Sequence, residues 1–431
     1  MALSALQSTI LAVCLSLGVP AVYLGLLGAM IAAPSLQAHA IYLHKVTLTW
    51  FKDLNVPEQF GFAHHQATPF YIPTRDGEEL HAWHILPLGA YLKDEDALLA
   101  QGPDGGLVER FEETLNFRLL KENPDARLVL YFHGTSGTMA SGWRPDSYRS
   151  LYGADPVNTH ILTFDYRGYG LSSGHPSEQG LITDALAVAD WALHTAGIPP
   201  ERIVVFGQSL GSAVAIALVH ELSTNTRGRP DSSTTQFAGL VVTATFSDLA
   251  QLTATYRIGN VIPVLSPVAK VPHLFDFFTS RLSSTWDNVQ RLGEFIHTAE
   301  RYHITLLHAE NDSNIPKEHS VRLFREAVRV AEGGAGRRST KGNAAVHGGG
   351  SSGDDLDGKI EKRAETRGQG GTVTVWPTSK GEIRFELLKF GLHDKIMSFP
   401  VTGLAVSRAF NSATRLDECR RLVPTSMKQS S

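Results

Sequence analysis

Residues 202–222 read RIVVFGQSLGSAVAIALVHEL, and this stretch decides the fold class. Residues 202–206 form a short apolar, β-rich run, which predicts a strand buried on both faces, and residues 212–222 have a helical pattern. Between them, Gly207, Ser209 and Gly211 fit the motif G-x-S-x-G. In this order of strand, tight turn and helix, the motif predicts a nucleophile elbow with Ser209 at the carboxyl edge of the sheet. A plain strand-to-helix turn capped by a serine is the alternative.

The same strand pattern recurs on both sides of the elbow. Helical patterns such as residues 181–194 separate the apolar runs, and two further segments, 70–74 and 79–86, predict a β-hairpin around a turn at residues 75–77. Alternating strands and helices predict an α/β protein with a mostly parallel, doubly wound sheet. The other runs are residues 127–132 (RLVLYF), 160–164 (HILTF), 239–245 (GLVVTAT) and 304–308 (ITLLH).

A serine hydroxyl needs a neighbouring base before it can act as a nucleophile, and in this fold class the acid and then the histidine follow the serine along the chain. His393 comes after the strand-like residues 383–390 and Gly391, so we expect its loop to reach back over Ser209. A solvated loop histidine is the alternative. For the acid we favour Asp312, which follows the strand at residues 304–308, and Asp248 is the rival.

Oxyanion donors are expected from two backbone amides. Leu210 follows the predicted nucleophile and supplies the first amide, and the loop after residues 127–132 is expected to supply the second. That loop begins His133-Gly134-Thr135, and we assign the second donor to the Thr135 amide. An ordinary glycine turn is the alternative.

Composition excludes several classes of protein. The 431 residues are 42% apolar and 19% charged, which indicates a globular chain with a large core. Lys and Arg number 39 against 43 Asp and Glu, a net charge of −4, so nucleic acid is not an expected partner. Cys14 and Cys419 are the two cysteines, which provide neither a disulfide framework nor a thiolate metal cluster. No metal or cofactor is expected.

The N-terminal residues predict a membrane anchor. Residues 1–38 contain no charged side chain, and residues 9–33 would form an apolar helix about 37 Å long, against a bilayer core of about 30 Å. A cleaved signal peptide is the alternative. The remainder divides into a linker at residues 39–66, a catalytic domain at 67–420 and a tail at 421–431.

Two segments inside the domain stand out by composition. Residues 331–371 hold 12 of the 39 glycines and no aromatic residue, which predicts a disordered insertion. A cap is expected at about residues 247–300, where an apolar stretch between Asp248 and Trp286 is suited to lining an acyl-chain channel. Ordinary core helices are the alternative.

Several motifs together resemble the membrane-anchored serine hydrolases of the α/β-hydrolase superfamily that cleave monoacylglycerol and lysophosphatidylserine. The resemblance implies a triad of Ser209, Asp312 and His393 and an endoplasmic reticulum anchor. The chain departs from the family pattern at Gln208, where histidine is frequent, and at Thr135-Ser136. The motifs are His133-Gly134, FDYRGYG at 164–170, PSE at 176–178, GQSLG at 207–211, LHAEND at 307–312 and GLHDK at 391–395.

The sequence therefore predicts a serine hydrolase that cleaves fatty-acyl esters of amphiphilic lipids at a membrane. An acyl thioesterase uses the same triad and is the nearest alternative. A catalytically inactive, membrane-bound scaffold is the alternative from a different class. The side of the membrane that the domain occupies stays open, because only Lys45 and Lys52 follow the helix closely.

Overall fold

A ten-stranded sheet forms the centre of the protein, with spatial order β1-β2-β4-β3-β5-β6-β7-β10-β9-β8. The computed structural model describes residues 5–102, 106–224, 235–258, 262–263, 266–334 and 351–422. The strands are β1 (Ala67–Pro73), β2 (Glu79–Ile85), β3 (Arg127–Phe132), β4 (Thr159–Phe164), β5 (Ile203–Gln208), β6 (Gly239–Thr243), β7 (Tyr302–Ala309), β8 (Ala364–Thr366), β9 (Gly371–Thr378) and β10 (Gly381–Leu388).

The sheet is mostly parallel, as the sequence predicts. Strands β4, β3, β5, β6, β7 and β10 run parallel to one another, whereas β1, β2, β8 and β9 pair antiparallel at the two edges. The predicted hairpin is present, with Pro73 paired to Glu79 at its closed end. Strands β4 to β7 are buried along their whole length, which explains their continuous apolar runs.

Helices cover both faces of the sheet. One core cluster joins the sheet to α7, α8, α12 and α13, and a second joins its other face to α6 and α15. The helices are α1 (Ala5–Ala32), α2 (Pro34–Tyr42), α3 (Leu88–Lys93), α4 (Glu95–Leu99), α5 (Leu115–Lys121), α6 (Arg144–Gly153), α7 (Glu178–Asp190), α8 (Leu210–Thr224), α9 (Leu249–Thr255), α10 (Ser266–Ala269), α11 (Pro272–Thr279), α12 (Asn288–Thr298), α13 (Glu318–Ala331), α14 (Ser351–Lys362) and α15 (Pro400–Leu422).

The predicted anchor is a long uncharged helix, α1, followed by the short helix α2. From Ser16 onward in the described part of the chain, no single helix has the length and hydropathy to cross a bilayer. The pair Ser16–Ala32 and Pro34–Tyr42 passes that test together and is bent by 108°. Residues 1–4 lie outside the described part of the chain.

The expected cap at residues 247–300 has two parts with different neighbours. Helix α12 belongs to the main core through Leu292 and Phe295, so the core-helix alternative holds for this part. Helices α10 and α11 form a separate apolar cluster with α1, in which Phe275 and Phe278 pack with Leu27. Residues 259–261 and 264–265 of this stretch lie outside the described part.

Residues 39–66, expected to be a linker, are packed against the domain. Tyr42, Phe60 and Phe62 are buried, and the Trp83 indole donates a hydrogen bond to the Leu54 carbonyl at 2.8 Å. When a stretch with several aromatic side chains docks on the domain, its apolar surface is removed from water. This burial favours one fixed position over a free chain.

The prediction of a disordered insertion at residues 331–371 is wrong for the residues that the structure describes there. Helix α14 and strand β8 fill residues 351–366, and Ile360 of α14 is buried in the main core with Leu356 packed beside it. An ion pair between Arg325 and Asp357 at 3.3 Å also joins α14 to α13. The charged residues on the outer face of α14 give this stretch a polar composition, so the sequence did not indicate the apolar contact. Residues 335–350, like 423–431 of the predicted tail, lie outside the described part.

The packing of α14 leads to a stability prediction. Replacing Ile360 by Ala should lower the free energy of unfolding by about 2 kcal/mol, because it removes buried methyl groups and leaves a small cavity. Replacing the exposed Glu361 by Ala should leave stability nearly unchanged. Denaturant unfolding followed by tryptophan fluorescence measures both, and equal stabilities would show that α14 does not contribute to the core.

Candidate active site

The turn between β5 and α8 places Ser209 at the carboxyl end of the central parallel strands. Ser209 has φ of +54°, a backbone conformation that side-chain-bearing residues adopt rarely. A Cβ on Gly207 would overlap the carbonyl group of Gly211, and a Cβ on Gly211 would overlap the carbonyl oxygen of Phe132. Both glycines are therefore required by close backbone contact, and the turn is as sharp as the motif predicts.

The structure brings the three residues of the predicted triad together. Nδ1 of His393 lies 2.8 Å from Oδ2 of Asp312, and Nε2 lies 3.1 Å from Oγ of Ser209. Because the carboxylate can only accept, Nδ1 carries the proton and Nε2 is free to accept the serine proton. Ser209 and His393 are buried, and the side chain of Asp312 is 1% exposed.

The surroundings of His393 and Asp312 shift their pKa values in opposite directions. Burial of the imidazole works against its protonation, but the hydrogen bond and charge of Asp312, with the charge of Asp394, outweigh burial and raise the pKa of His393. Burial of Asp312 acts to raise its pKa, but the hydrogen bond and charge of His393 and the charge of His308 lower that pKa overall. Asp312 is thus held ionised beside a ring that gains a proton readily.

Asp312 is also fixed by its own loop. Its Oδ1 accepts hydrogen bonds from the backbone amides of Asn314 and Ile315 at 2.8 and 2.9 Å. The rival Asp248 instead caps α9, accepting from the Gln251 amide at 2.7 Å, and lies 3.5 Å from Arg322. Its contacts in the described part of the chain do not include His393.

The loop after β3 passes directly over the elbow. A Cβ on Gly134 would overlap the end of the Gln208 side chain and lie 3.3 Å from Cβ of Ser209, so a side chain there requires Gln208 to move. Within the described ranges, the amides of Thr135 and Leu210 donate to no acceptor of the protein. Both predicted oxyanion donors are therefore unpaired beside the serine.

A buried arginine holds the carbonyl groups of this loop. Nη2 of Arg144 donates to the carbonyls of Gly134 at 3.0 Å and Ser136 at 2.8 Å, and Nη1 donates to that of Thr138. Because these carbonyls face Arg144, the amides of the loop face away from Arg144.

His133 has a structural environment. Its Nδ1 lies 2.8 Å from the Gly134 carbonyl, its Nε2 lies 3.3 Å from Oδ1 of Asp165, and Tyr166 donates to its backbone carbonyl at 2.8 Å. Burial lowers the pKa of His133, which keeps the ring neutral. It fixes the start of the loop and does not touch Ser209.

Sequence reasoning missed two residues that join the loops of the site. Gln208 was noted only as a departure from the family pattern, but its Nε2 donates to Oδ1 of Asp394 at 3.1 Å, beside His393. Oδ1 of Asn311 accepts from the Leu392 amide at 2.9 Å and ties the acid loop to the histidine loop. The only available signal was their position next to Ser209 and Asp312.

Comparisons with known proteins agree with the fold. A family model described as Alpha/beta hydrolase family matches residues 129–341. A solved alpha-beta hydrolase from Vibrio vulnificus is 14% identical, with a TM-score of 0.50 and coverage of 88% of this chain and 92% of that one. The chain has the α/β-hydrolase fold.

Curated relatives extend the likeness to named lipases. The chain is 28% identical over 68% of its length to lysophosphatidylserine lipase ABHD12 of Danio rerio, and 34% identical over 44% of its length to that of Xenopus tropicalis. The matches span 66% and 43% of those relatives. The resemblance to lipases of this type, inferred from the motifs, is confirmed.

The Asp312 contacts predict how the reactivity of Ser209 depends on the acid. Asp312→Asn should slow covalent labelling of Ser209 by a fluorophosphonate by about three orders of magnitude, because the wrong imidazole tautomer then faces the serine. Asp248→Asn is the matched control and should label at nearly the original rate, since asparagine also caps helices well. The reverse ranking would make Asp248 the acid.

A pH profile of the same labelling tests the electrostatics. The reactive form has a neutral His393, so the rate should fall as pH falls through a pKa above the ordinary 6.5. Asp312→Asn removes the charge that raises this pKa and should move the fall to lower pH. An acid limb in the unmodified chain that is centred below 6.5 would contradict this account.

Proposed function

We propose that this protein is a serine hydrolase that cleaves fatty-acyl esters of amphiphilic lipids, such as monoacylglycerol or lysophospholipid. The proposal rests on one observation above all, the hydrogen-bonded series of Ser209, His393 and Asp312 beside two unpaired amides. The named relatives, which are lysophosphatidylserine lipases, make lysophosphatidylserine the first substrate to test.

Acylation begins with attack of the Ser209 oxygen on the ester carbonyl while Nε2 of His393 takes the hydroxyl proton. Asp312 keeps the proton on Nδ1 and stabilises the imidazolium that forms. The tetrahedral oxyanion is bound by the amides of Leu210 and Thr135. His393 then gives its proton to the departing alcohol, and the fatty acyl group remains on Ser209.

Deacylation repeats these steps with water as the nucleophile. His393 takes a proton from the water, the oxyanion returns to the same amides, and collapse releases the fatty acid and restores the Ser209 hydroxyl. Every proton transfer in this reaction passes through His393. The side chains and backbone amides of this chain are sufficient for each step.

Apolar groups near the triad support an amphiphilic substrate. Leu392, next to His393, is 51% exposed, and Trp143, which lies 5.1 Å from the Lys395 ammonium, is 41% exposed. On the cap side of the domain, Val271 and Phe277 beside the α1, α10 and α11 cluster are 51% and 47% exposed. Such surfaces favour a lipid chain over a polar acyl group.

The apolar helix pair supports a membrane location. We propose that α1 anchors the protein, with the endoplasmic reticulum membrane as the location implied by the family resemblance. Substrate with a long acyl chain partitions into the same bilayer at about 0.8 kcal/mol per buried CH₂. Anchoring therefore raises the substrate concentration at the active site without entering the chemistry.

The proposal predicts the behaviour of Ser209→Ala. This variant should fold as the original does, because a buried hydroxyl is replaced by hydrogen at one turn, but it should lose fluorophosphonate labelling and at least about 10³-fold in kcat on lysophosphatidylserine. Released fatty acid, measured by mass spectrometry with the full chain in detergent, is the assay. Full turnover by Ser209→Ala would overturn the assignment of the nucleophile.

A matched pair of substrates separates the alternatives. We expect the long-chain oxygen ester to be hydrolysed with a higher kcat/KM than the thioester of the same acyl group. The opposite preference would indicate an acyl thioesterase. No turnover of either ester, together with no labelling of Ser209, would indicate an inactive scaffold.

A further inference from the structure

The segment that follows the N-terminal helices is hydrogen-bonded to the loop that carries the Thr135 amide. The carbonyl of Tyr42, at the end of α2, accepts from the Ser136 amide at 3.2 Å and from the Thr135 hydroxyl at 2.8 Å. The Thr135 hydroxyl also lies 3.0 Å from the Ile41 carbonyl, and the Gly137 amide donates to the Val46 carbonyl at 2.5 Å.

Helix α2 is itself held by the end of the cap. The buried Gln37 side chain donates to the Arg281 carbonyl at 3.1 Å and accepts from the Ser283 amide at 2.8 Å. The Tyr42 hydroxyl lies 2.9 Å from Oγ of Ser284 and accepts from the Trp286 indole at 3.3 Å. Polar side chains buried with their partners fix one position of α2 relative to the domain.

The loop is therefore held from two sides. Arg144 binds its carbonyls from one side, while the carbonyls of Tyr42 and Val46 bind the amides of Ser136 and Gly137 from the other. Between these contacts the Thr135 amide has no acceptor in the described part of the chain. An N–H donor stabilises an oxyanion strongly only when it already points to the oxyanion position before the negative charge develops.

We propose that the end of α2 positions the oxyanion loop, with Gln37 acting through α2 and the Thr135 hydroxyl as the direct link. This inference rests on the proposed hydrolase function and deepens it. Gln37 is a positioning residue, because it contacts the cap and not the substrate. It follows that docking of α2 sets the rate of the chemical step, a role separate from the anchoring proposed for α1.

Full-length variants in mild detergent test this inference on a short, water-soluble p-nitrophenyl ester. Thr135→Val keeps the size of the side chain and the amide but removes the hydroxyl that donates to the Tyr42 carbonyl and lies 3.0 Å from that of Ile41. Gln37→Leu removes both bonds to the cap. The matched controls are Thr135→Ser, which retains the hydroxyl, and Ser35→Leu, which places the same leucine on an exposed position of α2.

We expect Thr135→Val and Gln37→Leu each to lower kcat by about tenfold or more, toward the 10²-fold that loss of one oxyanion donor produces, with little change in KM. Inhibition by an alkylboronic acid, which forms a tetrahedral adduct on the serine, should weaken by a similar factor because the adduct needs the same donors. Ser35→Leu should retain the original kcat, and Thr135→Ser, which keeps the hydroxyl, should recover most of the kcat that Thr135→Val loses.

Unchanged kcat in both Thr135→Val and Gln37→Leu would overturn the inference. It would also be overturned if these variants lost stability while their folded fraction kept the original kcat and boronate affinity. If Thr135→Val does not fold, Gln37→Leu against Ser35→Leu decides the question alone. Turnover by the unmodified chain is measured first. Its absence would overturn the proposed hydrolase function, whereas an active chain with unaffected variants overturns only the positioning role.

Discussion

The close approach of Gly211 to the Phe132 carbonyl is the contact on which the rest of the site depends. It lets α8 start immediately after β5, so the serine at the turn projects above the sheet edge and the first amide of the helix lies beside it. The same closeness brings the end of β3, and with it Gly134, against the elbow. Nucleophile, first donor and second donor thus share one backbone arrangement. The positive φ of Ser209 is maintained because strand and helix are both buried in the core on either side of it.

Charge in the site is controlled by burial together with a small number of partners. Asp312 is ionised because an imidazole and two amides face it, and His393 protonates more readily because that carboxylate faces it in turn. His133 is just as deeply buried but lies 3.3 Å from its carboxylate partner, and its pKa is lowered. Two histidines of one sheet edge therefore differ in protonation, because the positive charge of Arg144 adds to burial at His133 whereas Asp312 and Asp394 outweigh burial at His393. This difference separates the ring that exchanges protons from the ring that supports a loop.

Local patterns were sufficient to predict the elements that carry chemistry. Ser209, Asp312 and His393 each follow a strand with a recognisable apolar run, and the carboxyl ends of parallel strands meet at one edge, so their neighbourhood followed from strand order. The link between Tyr42 and Thr135 had no such signal, because it consists mainly of backbone carbonyls bonded across about ninety residues of sequence. Helix α14 was missed for a related reason. Its core contact rests on Ile360 and Leu356, and two apolar residues in a charged, glycine-rich stretch are too few to establish a periodic pattern.

The tie between Tyr42 and the end of the cap has a consequence for biosynthesis. Tyr42 and Ser284 are separated by 242 positions, yet their hydroxyls meet in the finished protein. A ribosome makes the N-terminal helices first, and these contacts cannot form until about two thirds of the chain has been translated. His393 is made later still. A nascent or prematurely terminated chain therefore lacks both the contacts that hold the Thr135 loop and the histidine beside Ser209.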